Sequence, residues 1–398
     1  MLHRLNKKEP HILTLIVMSS FAFMGAVIFT PALPQMARFF KISQGHSQLA
    51  ITLFLIGYAI GQLIYGPLSN RFGRKNAFYI GIVIATIGST VSIISEPMHS
   101  FGFLIAGRLL EALGSSAGLV IAFTIVNDHY YPDQARKIIS YMMLAFAVVP
   151  GAATLLGGVL VSHFHWISCF YFLLIYGLTL SIPASRLAET AIKSDKHALE
   201  IKKIKANYGA AFKNKTLVAN SLFFSLTSMC IYVYATAAPF VAINYLDISA
   251  EKFGFLGLIP FIGTGLGAVV SAKLSQKRSA QSLMKLGLII ELVSTILMAI
   301  LFFLGIVNLF ILIALGFIFM FGGCMIISNA ASVASSKIDD KANASAVMNF
   351  INISMAVCGT FILTIIPGLA MTELATFFLV AVIVMLILWF MTIGRLAK

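Results

Sequence analysis

Charge is scarce in this chain. Asp, Glu, Lys and Arg make up 11% of its 398 residues, and only 14 of those are acidic, whereas about a quarter of a soluble globular protein is charged. With 59% hydrophobic residues and a mean hydropathy of +0.95, a water-soluble fold would lack the polar groups to cover its surface. A soluble enzyme, a nucleic-acid-binding protein and a disordered scaffold are therefore excluded. Cysteine is also rare. Cys169, Cys230, Cys324 and Cys358 fall in separate apolar runs without Cys-x-x-Cys spacing, so neither a disulfide framework nor a thiolate metal site is expected. His163 and His165 have no third ligand and read as an interfacial pair, not a metal centre. No phosphate-cradling loop and no nucleophile–base constellation is present. Neither an enzyme nor a bound cofactor is expected, and any uphill work must draw on an ion gradient.

What the chain has in abundance is long apolar runs. A membrane-crossing helix needs about 20 mostly apolar residues. Twelve such runs lie near 11–33, 47–68, 77–96, 101–126, 138–161, 167–186, 217–241, 254–274, 283–304, 307–331, 343–367 and 373–394. The first is longer than the apolar region of a signal peptide and ends in Pro31-Ala-Leu-Pro34, without a small-x-small cleavage site, so it is read as a retained helix. Of the 28 Lys and Arg residues, 24 fall at the two termini or in the even-numbered connections; Arg38, Lys41 and Lys252 lie on the other side, and Arg108 sits inside the fourth run. Positive residues collect in cytoplasmic loops, so both termini are expected in the cytoplasm. The net charge of +14 then records topology and calls for no nucleic-acid partner.

The polar, Lys-rich stretch 187–216 divides the chain into an N-terminal bundle of six spans (1–186) and a C-terminal bundle of six (217–398). It reads as a solvated basic linker with an amphipathic part on the inner membrane face, in contact with lipid. The halves echo each other faintly: Gly66-Pro-Leu-Ser-Asn-Arg71 after the second run, Ala272-Lys-Leu-Ser-Gln-Lys277 after the eighth. Repeated halves around a central site are a recurring transporter design.

The segment Gly66-Pro-Leu-Ser-Asn-Arg-Phe-Gly-Arg-Lys75 resembles the loop 2–3 signature of the major facilitator superfamily, G-x-L-x-D-R-x-G-R-[KR]. Arg108-Leu-Leu-Glu-Ala-Leu-Gly114 resembles that superfamily's R-x-x-Q-G-x-G motif, and Pro150 with Gly157-Gly158 resembles the helix 5 motif of its drug-exporting branch. Thr30-Pro-Ala-Leu-Pro34 and Ile125-Val-Asn-Asp128 look most like the bicyclomycin-resistance type of drug:proton antiporter. The resemblance spans the whole chain. It implies an all-α integral membrane fold of twelve transmembrane helices in two pseudo-symmetric bundles. It also implies a multi-pass protein of the bacterial inner membrane, working as a monomer by alternating access. Three departures stand out. Asn70 replaces the signature's Asp, Ala153-Thr154 replaces a Gly-Pro pair, and Val27 occupies the place of a helix 1 Asp, leaving helix 1 with no acid.

These motifs nominate residues. Gly66 and Gly73 permit close helix approach. Arg71, Arg74 and Lys75 are placed to pair with Asp128 or Asp133 as a conformational latch, to which Asn70 adds no charge. Pro150, Gly157 and Gly158 are expected to bend the fifth helix and seal it against the eighth. Within the bilayer an ionisable side chain is a functional candidate by default. Arg108 and Glu111, three residues apart, share a helix face. Glu111 is expected to exchange a proton while Arg108 pairs with its charged form; the alternative is a static ion pair. Glu291, six residues past Lys285 and within snorkelling reach of the surface, is assigned a structural role. The family architecture implies a mid-membrane cavity lined by helices 1, 4, 7 and 10, with Met24, Phe29, Arg108, Glu111, Ser115, Tyr232, Tyr234 and Asn329 as candidates. That mixture, with only two Trp in the chain, suits amphipathic organic molecules better than sugars. The expected function is proton-coupled export of drugs or small amphipathic metabolites. A facilitator or proton symporter importing a small nutrient such as an amino acid is the alternative, and a non-transporting sensor the third.

Overall fold

The computed structural model describes residues 9–191, 200, 209, 211–336, 341–365 and 371–393. Among them every regular element is helical: α1 (Ile12–Ile28), α2 (Gln44–Phe72), α3 (Arg74–Ile94), α4 (Phe101–His129), α5 (Pro132–His163), α6 (Ser168–Ser185), α7 (Lys215–Phe240), α8 (Ala250–Leu274), α9 (Ala280–Phe303), α10 (Leu309–Ser336), α11 (Lys341–Ile365) and α12 (Met371–Leu388). Eleven helices are long and apolar enough to cross a membrane, while the described apolar part of α5, Val148–His163, is shorter. Helix starts are set by side chains that satisfy orphan amides. Ser43, Ser100, Asn214, Ser249 and Ser279 each accept a backbone N–H three residues on. α1 breaks at a tight turn, Thr30–Ala32, and continues as Leu33–Phe40, because Pro31 and Pro34 have no amide hydrogen to donate.

Leu13, Ile175, Phe303 and Phe310 point outward from the bundle, which only lipid makes tolerable on this scale. Two apolar cores form. One joins α1 to α6 and takes in Phe240, Ile353 and Ala356; the other joins α7 to α12. The halves meet chiefly where α2 packs on α11 and α5 on α8. Arg74, Arg186, Lys213 and Lys273 lie at one end of the bundle, here the basic face.

The repeat hinted at by one hexapeptide is written into the helix crossings. Gly57 and Gly61 bring α2 onto the α4 carbonyls of Leu109 and Leu113; Gly263 and Gly267 bring α8 onto the α10 carbonyls of Phe317 and Phe321. Gly81 of α3 meets Gly114 of α4 as Gly287 of α9 meets Gly322 of α10. Each pair, 57 and 263, 61 and 267, 81 and 287, is 206 residues apart, the same offset that separates Gly66 from Ala272. A side chain at these crossings would overlap backbone, so the spacing between helices is fixed by the missing Cβ.

Candidate functional site

Arg108 and Glu111 occupy the inside of the N-terminal bundle. Arg108 is wholly buried and Glu111 all but so. The Arg108 Nη1 donates to Glu111 Oε2 at 2.9 Å, its Nη2 to the Gly25 carbonyl of α1 at 2.9 Å, and its Nε to the Ala50 carbonyl of α2 at 3.3 Å. The guanidinium lies 4.1 Å from the centre of the Phe54 ring, 5.4 Å from that of Phe29 and 5.7 Å from that of Phe170, a desolvated cation among three aromatic rings. Gly88 makes room for this by letting α3 close on the backbone of Glu111. Glu111 Oε1, by contrast, lies outside the ion pair, with the Ser89 hydroxyl of α3 as the polar group beside the carboxyl. The arginine is fixed to three helices; the carboxyl enters the ion pair through one oxygen. α4 starts at the face opposite the basic one, so Arg108, seven residues past Phe101, lies about 10 Å inside that end. Glu111, ten residues past Phe101, lies about 15 Å inside it.

The remaining cavity candidates separate into groups. Phe29 is buried against Phe170 at 4.8 Å between ring centres and against Trp166, beside Arg108. Met24 is buried on the same helix, and Ser115 is buried and donates to the Ala112 carbonyl. Tyr232, half-buried on α7, packs against the N-terminal core and lies within electrostatic reach of Tyr58 on α2. It therefore stands between the halves. Tyr234 turns into the C-terminal bundle, its hydroxyl donating to the Leu312 carbonyl at 3.1 Å and its ring against Gly316. Asn329 donates from Nδ2 to Ser271 Oγ at 2.8 Å and to the Met325 carbonyl, tying α10 to α8. Sequence reasoning missed Tyr58 and Gln62, one helical turn apart on α2 and both buried. The signal was there: two polar groups at i and i+4 within an apolar run.

The loop 2–3 signature is a clasp on the basic face. Arg74 Nε donates to Asp128 Oδ2 at 2.8 Å, and Arg74 Nη1 to the Ser69 carbonyl and to Asn70 Oδ1, each at 3.0 Å. Thr190 Oγ1 donates to the same Asp128 oxygen. Lys75 Nζ reaches the Ser185 carbonyl at 2.6 Å, and the Arg71 guanidinium lies 5.5 Å from the Phe72 ring centre. Asp133 falls among side chains outside those described. Glu189, which sequence reasoning passed over, completes the clasp. It accepts the backbone N–H groups of Arg74 and Lys75 at 2.9 and 3.0 Å, at the positive end of α3. Burial alone would push its carboxyl up. The N–H groups of Ala191, Arg74 and Lys75 and the Arg74 charge outweigh that and hold it below the usual carboxylate range. Gly73 has a positive φ of 91°, and a Cβ there would lie 2.6 Å from Glu189 Oε2. These named partners come from the N-terminal bundle and, for Glu189 and Thr190, from the first residues of the linker. Gly66 contributes its carbonyl, accepting from Ser69 Oγ.

In α5 the two adjacent glycines serve different neighbours. Gly157 lies against the Ile28 carbonyl and Pro31 of the α1 break, whereas Gly158 lies against Ala250 and Gly254 of α8. Only the second seals α5 to α8; the first admits the turn of α1. Pro150 is buried, and its carbonyl accepts from Thr154 Oγ1 at 2.9 Å. Thr154, one of the two residues in place of the resembled motif's Gly-Pro, touches Gly257 with its methyl group. The other contacts named between the halves, Thr52 with Thr360 and Arg38 with Asn244, also lie away from the basic face.

A family model described as Major Facilitator Superfamily matches residues 15–361. The chain is 25% identical over 284 residues to a bicyclomycin resistance protein homolog of Haemophilus influenzae, covering 71% of each. It is 28% identical over 331 residues to multidrug resistance protein D of Escherichia coli K12, covering 81% of this chain and 80% of the relative. Among solved structures, the D-xylose–proton symporter superposes with a TM-score of 0.75 at 13% identity, covering 94% of this chain and 96% of that one.

Proposed function

This chain belongs to the Major Facilitator Superfamily and is a multi-pass membrane protein with a transporter fold; from that premise we propose that it exports drugs or other small amphipathic molecules by alternating access, in exchange for protons. The buried Arg108–Glu111 pair, with one oxygen of Glu111 outside the ion pair, carries the reading. A cationic substrate and a proton would compete for Glu111: the substrate pairs with the carboxylate in place of Arg108, and once it has left a proton neutralises the same group, so the two occupy the site in turn, as exchange requires. The named resistance relatives in Haemophilus and Escherichia support export and a bacterial inner membrane. The basic face is then cytoplasmic, with both termini and the lipid-contacting linker on that side, and the monomer is the working unit. A chemical gradient, with no bound cofactor, supplies the energy.

The test is ethidium accumulation in cells expressing the chain, with and without a proton uncoupler. Lower accumulation that the uncoupler restores supports the proposal; equal accumulation in expressing and empty cells counts against export of amphipathic cations. One observation favours a second reading, import of a small nutrient by facilitation or symport: α1 carries no acid, so among the described residues Glu111 is the one buried carboxyl of the N-terminal bundle. Radiolabelled amino-acid uptake separates the two.

A further inference from the structure

Glu291 does not snorkel. It is fully buried on α9, at the meeting of three other helices. Its Oε2 accepts one long hydrogen bond, 3.4 Å, from Thr227 Oγ1 of α7, and the same hydroxyl contacts the sulfur of Met385 on α12. A Cβ added at Gly323 of α10 would lie 2.9 Å from Glu291 Oε1, so that oxygen faces a glycine; it has no hydrogen-bond partner. No Lys, Arg or His nitrogen of the described residues comes within ion-pair distance.

The groups facing it are neutral on every side. α7 offers Thr227 and the Cys230 thiol, α12 the Met385 sulfur, and α10, which carries no charged residue, Gly323 and its neighbour Cys324. The nearest charge on α9 is the exposed Lys285, six residues or about 9 Å away along the axis. Lys215 of α7 and Glu373 of α12 stand at helix ends, each twelve residues or about 18 Å from the residue that touches Glu291. An ionised carboxylate here would have no counter-charge and one long hydrogen bond to replace its water, a costly condition for a buried group. A protonated one fits as the site stands.

We propose that Glu291 is a proton-binding site of the C-terminal half, occupied in this conformation and distinct from Glu111. The two buried acids are built in opposite senses. Glu111 faces a guanidinium that can balance its charge; Glu291 faces no ion. The repeat underlines the difference, because Glu291 lies four residues past Gly287 where Ala85 lies four past Gly81. Toward the basic face, α7 carries one further buried polar group on the side of Thr227. Asn220 lies seven residues from Thr227, on the same helix face, and its buried Oδ1 is also unpartnered. Use of this site as a second coupled proton rests on the antiport reading; the presence of the proton does not.

The test uses the purified full-length protein and dicyclohexylcarbodiimide, which modifies protonated carboxyls in apolar surroundings, with mass spectrometry to place the adduct. The expected result is an adduct on Glu291 at neutral pH, little on Glu111, and loss of the Glu291 adduct as pH rises into the alkaline range. No adduct on Glu291 overturns the proposal, and so does one that persists unchanged at alkaline pH, which marks a fixed neutral acid. Glu291→Gln provides a second readout. The infrared band of a protonated carboxyl should disappear in that variant and remain in Glu111→Gln; a band unaffected by Glu291→Gln overturns the assignment. The two readings fail separately. Absent dye export with a titrating Glu291 removes the antiport reading alone, and dye export with an unlabelled Glu291 removes this one alone.

Discussion

Glu189 Oε1 lies 2.9 Å from the backbone nitrogen of Arg74, 115 positions earlier in the chain. Its second oxygen takes the next amide, of Lys75. The segment that leaves α6 thus holds the first turn of α3 through an anion at a helix N-terminus, an arrangement worth about 1 kcal/mol. Because Asn70 supplies no charge to the clasp, Glu189 and Asp128 are the acids that the structure shows facing Arg74.

Replacing Glu189 by Gln should loosen this clasp by about 1 kcal/mol, and the effect should depend on pH. Its carboxyl is held below the ordinary carboxylate value. Its contribution is therefore complete above the free-carboxylate range, near pH 4.3, and is lost as pH falls through the lower bound value. Hydrogen exchange at the amides of Arg74 and Lys75 measures it. Wild type should lose protection on acidification, and Glu189→Gln should show the weaker protection at neutral pH and converge with wild type at acid pH. Equal protection in the two proteins at neutral pH would show that the carboxylate does not hold these amides.

How much of this was legible in advance depends on range. Arg108 and Glu111 could be paired from spacing alone, since three residues place two side chains on one helix face whatever surrounds the helix. The twelve spans, and the grouping of bases on one face, follow from the apolar runs and the positions of Lys and Arg. Glu189 was not legible, because its partners are amides over a hundred residues away and one acid after an apolar run carries no local signal. Helix phase was the other gap. Tyr232 and Tyr234 are two residues apart, about 200° around a helix, so they face opposite ways. One stands between the halves and the other fills the space beside Gly316.

The contact between α5 and α8 yields a second prediction. At Gly158 a Cβ would lie 2.5 Å from the Ala250 carbonyl and 2.8 Å from the Gly254 Cα, and rigid backbone cannot move aside as a side chain does. Gly158→Val should cost about 1–3 kcal/mol through overpacking and reduce transport by holding the halves apart. Gly265, on α8 itself, has nothing within 4 Å of an added Cβ. Gly265→Ala should be neutral or stabilising by up to about 1 kcal/mol through helix propensity. Thermal unfolding in detergent compares the two. A Gly158→Val protein as stable and active as the Gly265→Ala protein would remove the close approach as a constraint on the joint.

The last prediction concerns which half of the Arg108–Glu111 pair carries the chemistry. Breaking a buried ion pair by removing one partner costs about 3–5 kcal/mol because the other charge is left without compensation. Arg108→Gln should be the damaging change, since it removes the hydrogen bonds that tie α4 to Gly25 of α1 and Ala50 of α2 and strands Glu111. Glu111→Gln also leaves a buried charge without its counter-ion, but the amide oxygen can still accept from Arg108 Nη1 and the carbonyl and ring contacts of the guanidinium remain, so its loss of stability should be the smaller. If Glu111 exchanges the proton, this variant should retain downhill movement of substrate between vesicles and lose accumulation driven by a pH gradient. A static pair predicts another pattern, with both modes falling together in proportion to lost stability. The ratio of gradient-driven to downhill flux in Glu111→Gln, against wild type at equal protein, therefore decides between coupling and scaffolding. A ratio equal to that of wild type assigns the pair to the scaffold.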